Sequence, residues 1–162
     1  MGDPVAPRLE CLPVPEVIFV CYGNICRSPI AEALLQRALD ERLGPGHAFI
    51  VTSAGVGATD GTPASRGTKD VLKARGIDFR SHRARYLTPA MARAAELIVC
   101  MEAQQVEQVR RHVDDPDKVV LMGDGIPDPI GAGPEMYERT AVLIESEIAP
   151  LVERLLEERT TA

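Results

Sequence analysis

The chain reads as an α/β fold: one domain built on a parallel sheet covered by helices on both faces. Three observations predict it. Short apolar runs rich in β-branched residues alternate with stretches of helical periodicity along the whole chain. The first run, 17–21 (VIFVC), is apolar throughout, as in a strand buried on both faces. The length, 162 residues with 45% apolar, suits one compact domain with a sizeable core.

The elements follow in order. Residues 1–15 carry several prolines and no periodicity, and read as a flexible leader before a domain over 16–158, with 159–162 as a tail. After the first strand comes a short turn, 22–27. Ser28 then reads as a helix N-cap with Pro29 at the first helical position. Ile30, Ala33, Leu34, Ala38 and Leu39 give that helix an apolar stripe, and Gly44-Pro45-Gly46 ends it. Phe49 to Ser53 reads as the second strand, closed by Ala54-Gly55. A helix near 65–75 ends at Gly76, and 82–87 looks extended. Pro89 starts a short helix. Leu97 to Met101 is the third strand and Glu102 opens a helix to about His112. Val119 to Met122 is the fourth strand. The last helix, about 135–158, repeats Tyr137, Ala141, Ile144, Ile148, Leu151 and Leu155 at helical spacing. Pro150 inside it should kink it or remove a hydrogen bond.

Composition excludes some functions. A net charge of -6 argues against sequence-independent nucleic-acid binding. No apolar run approaches the ~20 residues that span a bilayer, and no signal peptide is visible, so no membrane partner and a cytoplasmic location are expected. Cys11, Cys21, Cys26 and Cys100 do not match common zinc spacings, so no metal is expected, and free thiols are.

The chemistry concentrates in Cys21-Tyr22-Gly23-Asn24-Ile25-Cys26-Arg27-Ser28. A cysteine and an arginine at this spacing carry little weight alone; the context gives them weight. Cys21 ends a buried strand, Arg27 precedes a helix, and the loop between is short. In a parallel sheet, ligands bind beyond the carboxyl ends of the strands. Successive backbone N–H groups and a helix N-terminus form a nest for phosphate and stabilise a thiolate. Arg27 offers a planar fork that holds two phosphoryl oxygens. Asn24 tolerates the left-handed backbone that inward-pointing amides need. The Ser28 hydroxyl can donate to the Cys21 sulfur. Cys26 reads either as a small packing residue or as a disulfide partner for Cys21. A general acid must come from another loop on the same sheet edge, and Asp124 and Asp128 are the candidates. Asp128 stands between Pro127 and Pro129, which restrict its backbone.

Residues 20–35, VCYGNICRSPIAEALL, resemble the signature of the low-molecular-weight protein tyrosine phosphatases, whose form is Cys-x5-Arg-Ser near the N-terminus and Asp-Pro near the C-terminus. Here these are Cys21 to Ser28 and Asp128-Pro129. Ser53-Ala54-Gly55, His82-Arg83-Ala84-Arg85 and residues 97–102 (LIVCME) agree with further landmarks of that family, over about 16–158. The resemblance implies a four-stranded parallel sheet and a two-step reaction without metal or cofactor. It implies Cys21 as nucleophile, Arg27 as clamp and Asp128 as general acid and base. Tyr22, Gly23, Asn24, Ile25, Cys26, Arg27 and Ser28 would cradle the phosphate, and Asn24, Ser28, Ser53 and His82 would hold that loop in a hydrogen-bond network. The substrate would be a phosphorylated protein or peptide and the product inorganic phosphate.

The pocket walls depart from the tyrosine-specific pattern. Ile130-Gly131-Ala132-Gly133 follows Asp-Pro where aromatic residues are usual, and the loop after the second strand has none. The small residues resemble a branch of the family that acts on phosphoarginine, whereas Ile25 resembles the tyrosine-type choice. With Tyr22, Ile25 and Ile130 as pocket walls, phosphotyrosine is the expected substrate and phosphoarginine the alternative. An arsenate reductase, for which Cys100 would be one relay thiol, and a non-catalytic phosphate-binding module are weaker readings.

Overall fold

In the computed structural model, which describes residues 14–160, four strands form one sheet in the order β2-β1-β3-β4, all parallel. They are β1 (Glu16–Cys21), β2 (Ile50–Gly55), β3 (Leu97–Cys100) and β4 (Val119–Leu121). The helices are α1 (Arg27–Leu43), α2 (Arg66–Ala74), α3 (Pro89–Ala94), α4 (Ala103–Arg110) and α5 (Pro134–Thr160).

Both faces of the sheet are covered because successive strand side chains point to opposite sides. Val17, Phe19 and Cys21 of β1 join Leu97 and Val99 of β3 in a core shared with α1, α2 and α5. Ile18 and Val20 join Ile98 and Cys100 in a second core shared with α3 and α4. The apolar stripes of α1 and α5 face the first core, and Tyr137, Ala141, Ile144, Ile148, Leu151 and Leu155 are all buried in it. Full burial of a side chain such as Leu35 stabilises by about 1.5–3 kcal/mol, and Leu35→Ala would cost about 2–5 kcal/mol once the cavity is counted.

Four local expectations need correction. Ser28 is not the N-cap of α1: Cys26 holds that position and the helix starts at Arg27. The Ser28 hydroxyl is engaged with Cys21 and Asn24 instead of a backbone amide. The second strand runs on through Ala54 and Gly55, which pair with Val20 and Cys21. The last helix, α5, continues to Thr160, two residues past the expected end, and carries Pro150 inside it, where the missing N–H removes one hydrogen bond. The segment read as extended after His82 holds only isolated bridges, Pro63 with Arg83 and Gly55 with Tyr86.

The expected leader, apart from Val14 and Pro15, lies outside the described residues, as do Thr161 and Ala162. Among the described residues no helix is long and apolar enough to cross a membrane.

Candidate active site

The turn from Cys21 to α1 closes around Asn24, whose φ of 55° is the one positive value at a non-glycine residue among those described. This left-handed step aims consecutive amides to one side, as the loop requires. Every polar group of Asn24 then has a partner. Its backbone N–H donates to Cys21 Sγ at 3.3 Å. Its Nδ2 donates to Ser28 Oγ at 2.9 Å and Ser53 Oγ at 2.8 Å, and its Oδ1 accepts from the Arg85 backbone N–H at 3.0 Å. Its carbonyl accepts from His82 Nε2 at 2.8 Å, which places the ring proton on Nε2. Burial holds the His82 pKa below its ordinary value, and the ring is stacked on Phe79. Asn24, Ser28, Ser53 and His82 are thus brought together as the resemblance implies.

The loop also depends on glycines. A Cβ on Gly55 would stand 2.5 Å from the Tyr22 carbonyl oxygen and 3.0 Å from the Asn24 nitrogen, so only glycine fits there. A Cβ on Gly57 would meet the Tyr22 ring at 2.5 Å. The Tyr22 ring therefore rests on Gly57, with the residue 63% exposed. Ile130 is 52% exposed in the loop after Asp128. Ile25 is half-buried and packs against the first core, while its carbonyl accepts from the Ser65 N–H and the Thr68 hydroxyl. Gly23 lies open beside it, the nearest atom to an added Cβ being Ile25 Cγ1 at 3.7 Å.

Arg27 is the largest of the fully buried side chains, at 2% exposure. Its Nη1 donates to Glu102 Oε1 at 2.5 Å and to the Ile126 carbonyl at 2.9 Å, and its Nη2 is 3.4 Å from Asp128 Oδ2. Its buried Nε has no partner, which is costly for a charged group unless a ligand completes it. Asp128 accepts from the Ile130 N–H through its other oxygen at 3.1 Å. Asp124 is exposed, and among the described residues no ion pair joins it to the loop. No group of three His, Cys, Asp or Glu among the described residues could hold a metal ion.

The family profile described as low molecular weight phosphotyrosine protein phosphatase matches residues 16–161. The chain belongs to this family. The low molecular weight protein-tyrosine-phosphatase Etp of Escherichia coli K12 is 36% identical over 135 residues, covering 80% of this chain and 86% of that one. Wzb of Vibrio vulnificus, solved in complex with benzylphosphonate, superposes with a TM-score of 0.78 at 28% identity, over 87% of this chain and 99% of that one. The arginine phosphatase YwlE of Geobacillus stearothermophilus superposes with a TM-score of 0.79 at 33% identity, over 91% of this chain and 96% of that one. The fold, the family and phosphoric monoester hydrolysis as the class of chemistry are thereby established.

Within this phosphatase, several site residues escaped the sequence reading. Glu102 was legible only as a helix start, and nothing local tied it to Arg27 from 75 positions away. Tyr137 read as one of the apolar-stripe residues of the last helix, and residue 65 only as the start of the helix near 65–75. Tyr137 and Ser65 also hydrogen-bond each other at 3.0 Å and each lies 3.3 Å from Cys26 Sγ, so this buried thiol of the 21–28 turn sits in a small polar cluster. Burial raises the pKa of Cys26 and pushes that of Tyr137 up to about 12. Cys21, Cys26 and Cys100 are all free, and burial pushes the Cys100 thiol to about 12. Glu32 lies in α1. Burial raises its pKa to about 7, against hydrogen bonds from the Ser53 hydroxyl and N–H and the charge of Arg85.

Proposed function

We propose that this phosphatase hydrolyses phosphotyrosine in proteins or peptides through a phosphate carried on Cys21. The observation that carries the reading is the setting of Cys21 Sγ. Ser28 Oγ lies 3.0 Å away, the Asn24 N–H points at it from 3.3 Å, and the same loop supplies a buried arginine with an unpartnered Nε. These donors suit a thiolate and, above it, a phosphate.

In the first step the Cys21 thiolate attacks phosphorus and the bond to the tyrosine oxygen breaks. Asp128 gives its proton to the departing phenolate. Arg27 holds two equatorial oxygens through Nε and Nη2, which its planar fork permits. In the second step Asp128 takes a proton from water, whose oxygen attacks phosphorus. The sulfur–phosphorus bond breaks, inorganic phosphate leaves, and the thiolate returns under the Ser28 hydroxyl.

Two exposed surfaces support an aryl substrate: the Tyr22 ring on Gly57, and Ile130. The Vibrio vulnificus relative holds an aryl-bearing phosphonate. A second reading, phosphoarginine, is favoured by the small residues Gly131-Ala132-Gly133 and by the similarity to an arginine phosphatase. A relay through Cys100 is disfavoured by its 0% exposure.

The deciding experiment is turnover of matched phosphotyrosine and phosphoarginine peptides by the wild type, Cys21→Ser and Asp128→Asn. Phosphotyrosine should be preferred and Cys21→Ser should abolish turnover while still binding phosphate. Asp128→Asn should slow phenyl phosphates most where the leaving group is poorest. Turnover by Cys21→Ser would refute the mechanism. A preference for phosphoarginine would replace the substrate and leave the mechanism in place.

A further inference from the structure

A cleft of about 680 Å3 lies between α2 and the 76–80 loop, and none of its lining residues belongs to the phosphate loop. Arg66, Lys69, Asp70 and Lys73 line it from one face of α2, at the spacing that stacks side chains along a helix. Arg80 and Asp78 stand opposite, with Ile77 and Phe79 as apolar surface. The cleft thus holds four cations and two anions in a chain whose net charge is -6.

The anions are already used. Asp70 pairs with Arg66 at 3.7 Å and Asp78 pairs with Arg80 at 2.8 Å. Lys69 and Lys73, one helical turn apart, make no ion pair among the described residues. Two unpaired ammonium groups beside apolar surface invite an anionic ligand that also carries hydrocarbon.

Both walls of the cleft reach the phosphate loop. The Ser65 N–H, just before α2, donates to the Ile25 carbonyl at 2.9 Å. On the other wall the Phe79 ring stacks on His82 with centroids 5.2 Å apart, and His82 holds the Asn24 carbonyl. Arg66 to Lys73 spans roughly 10 Å of helix, about the length of three extended residues. Neighbours one turn apart on a helix stand about 5–6 Å apart, close to the ~6.7 Å between alternate side chains of an extended chain.

We propose that the cleft is a docking groove for an acidic segment of the substrate flanking its phosphorylated residue, with alternate carboxylates on Lys69 and Lys73. This rests on the reading of the substrate as a phosphorylated protein or peptide.

The test uses the full chain and its Lys69→Glu/Lys73→Glu variant. Binding of a fluorescent, unphosphorylated peptide with alternating glutamates is read by anisotropy, and kcat/KM is read for acid-flanked and alanine-flanked phosphotyrosine peptides. The wild type should prefer the acid-flanked peptide by about tenfold at low salt, and the variant and high salt should both erase the preference. Hydrolysis of p-nitrophenyl phosphate should stay within about twofold, because no residue of the centre is altered. Equal handling of the two peptides by the wild type would overturn the proposal. So would equal loss on both peptides and on p-nitrophenyl phosphate, or displacement of the probe by millimolar inorganic phosphate. Tighter binding of a single-stranded oligonucleotide than of the peptide would overturn it in favour of a nucleic-acid site. Binding of the acidic peptide without turnover of any phosphate ester would uphold the groove and sink the phosphatase mechanism instead.

Discussion

The Ser28 hydroxyl stands 3.0 Å from Cys21 Sγ while its oxygen accepts from Asn24 Nδ2 at 2.9 Å. A thiolate has no hydrogen to give, so once Cys21 is ionised the hydroxyl is the donor of that pair. Ser28→Ala should therefore remove a donor from the thiolate. Loss of one such preorganised donor costs on the order of 10²-fold in kcat. The rate of Cys21 alkylation by iodoacetamide at pH 6 should fall in parallel, whereas a variant that merely loosened the fold would alkylate faster.

Glu102 holds Arg27 from the far side of the clamp. Glu102→Ala should raise the inhibition constant of inorganic phosphate by about tenfold, because the guanidinium loses its charge-assisted anchor. The pair joins a buried cation to a carboxylate that is 44% exposed. Solvent screening therefore reduces the stability loss to about 1–2 kcal/mol, readable by urea denaturation. Glu102→Gln should fall between the two.

Gly57→Ala would intrude on the seat of the Tyr22 ring. The KM for a phosphotyrosine peptide should rise several-fold with little change in kcat, and Tyr22→Ala should do the same. The double variant should be no worse than either single one, since both remove one surface. Additive losses would show that the two residues act separately.

Two buried groups give the stability opposite slopes with pH. Glu32 has a folded pKa of about 7 against an ordinary 4.5, so the folded chain binds the extra proton between these values. Its contribution is fully present below pH 4.5 and is lost as pH rises through about 7. His82 has a folded pKa below 6.5, so its contribution is present above 6.5 and is lost as pH falls through the folded value. Glu32→Gln should leave only the His82 slope. In thermal melts from pH 5 to 8, the variant should gain on the wild type as pH rises; a constant difference would contradict this.

What could be read from the chain divides by the range of the interaction. Strand β1, the loop glycine and the helix α1 were legible because an apolar run, a turn and a stripe are local patterns. Asn24 was legible as a left-handed residue for the same reason. The N-cap of α1 misled because Ser28 has the right side chain for a cap but is drawn to Cys21 and Asn24 by tertiary contacts. Glu102, Tyr137 and Ser65 lie 75, 111 and 39 positions from their partners Arg27 and Cys26, and no local pattern announces such pairs. Gly55 looked like a strand end, and its close approach to the Tyr22 carbonyl exists only once β2 is laid beside β1.

The Ile126 carbonyl that receives Arg27 belongs to the same short stretch as Asp128, and the Ile126 N–H is itself tied to the Met101 carbonyl, next to Glu102. Arg27 and Asp128 are therefore tied to one bracket. A loop transplant that replaced 126–130 to alter the aromatic walls would unseat the arginine as well. Exchanging substrate range by grafting between relatives should fail unless residue 102 and the carbonyl at 126 travel with the graft.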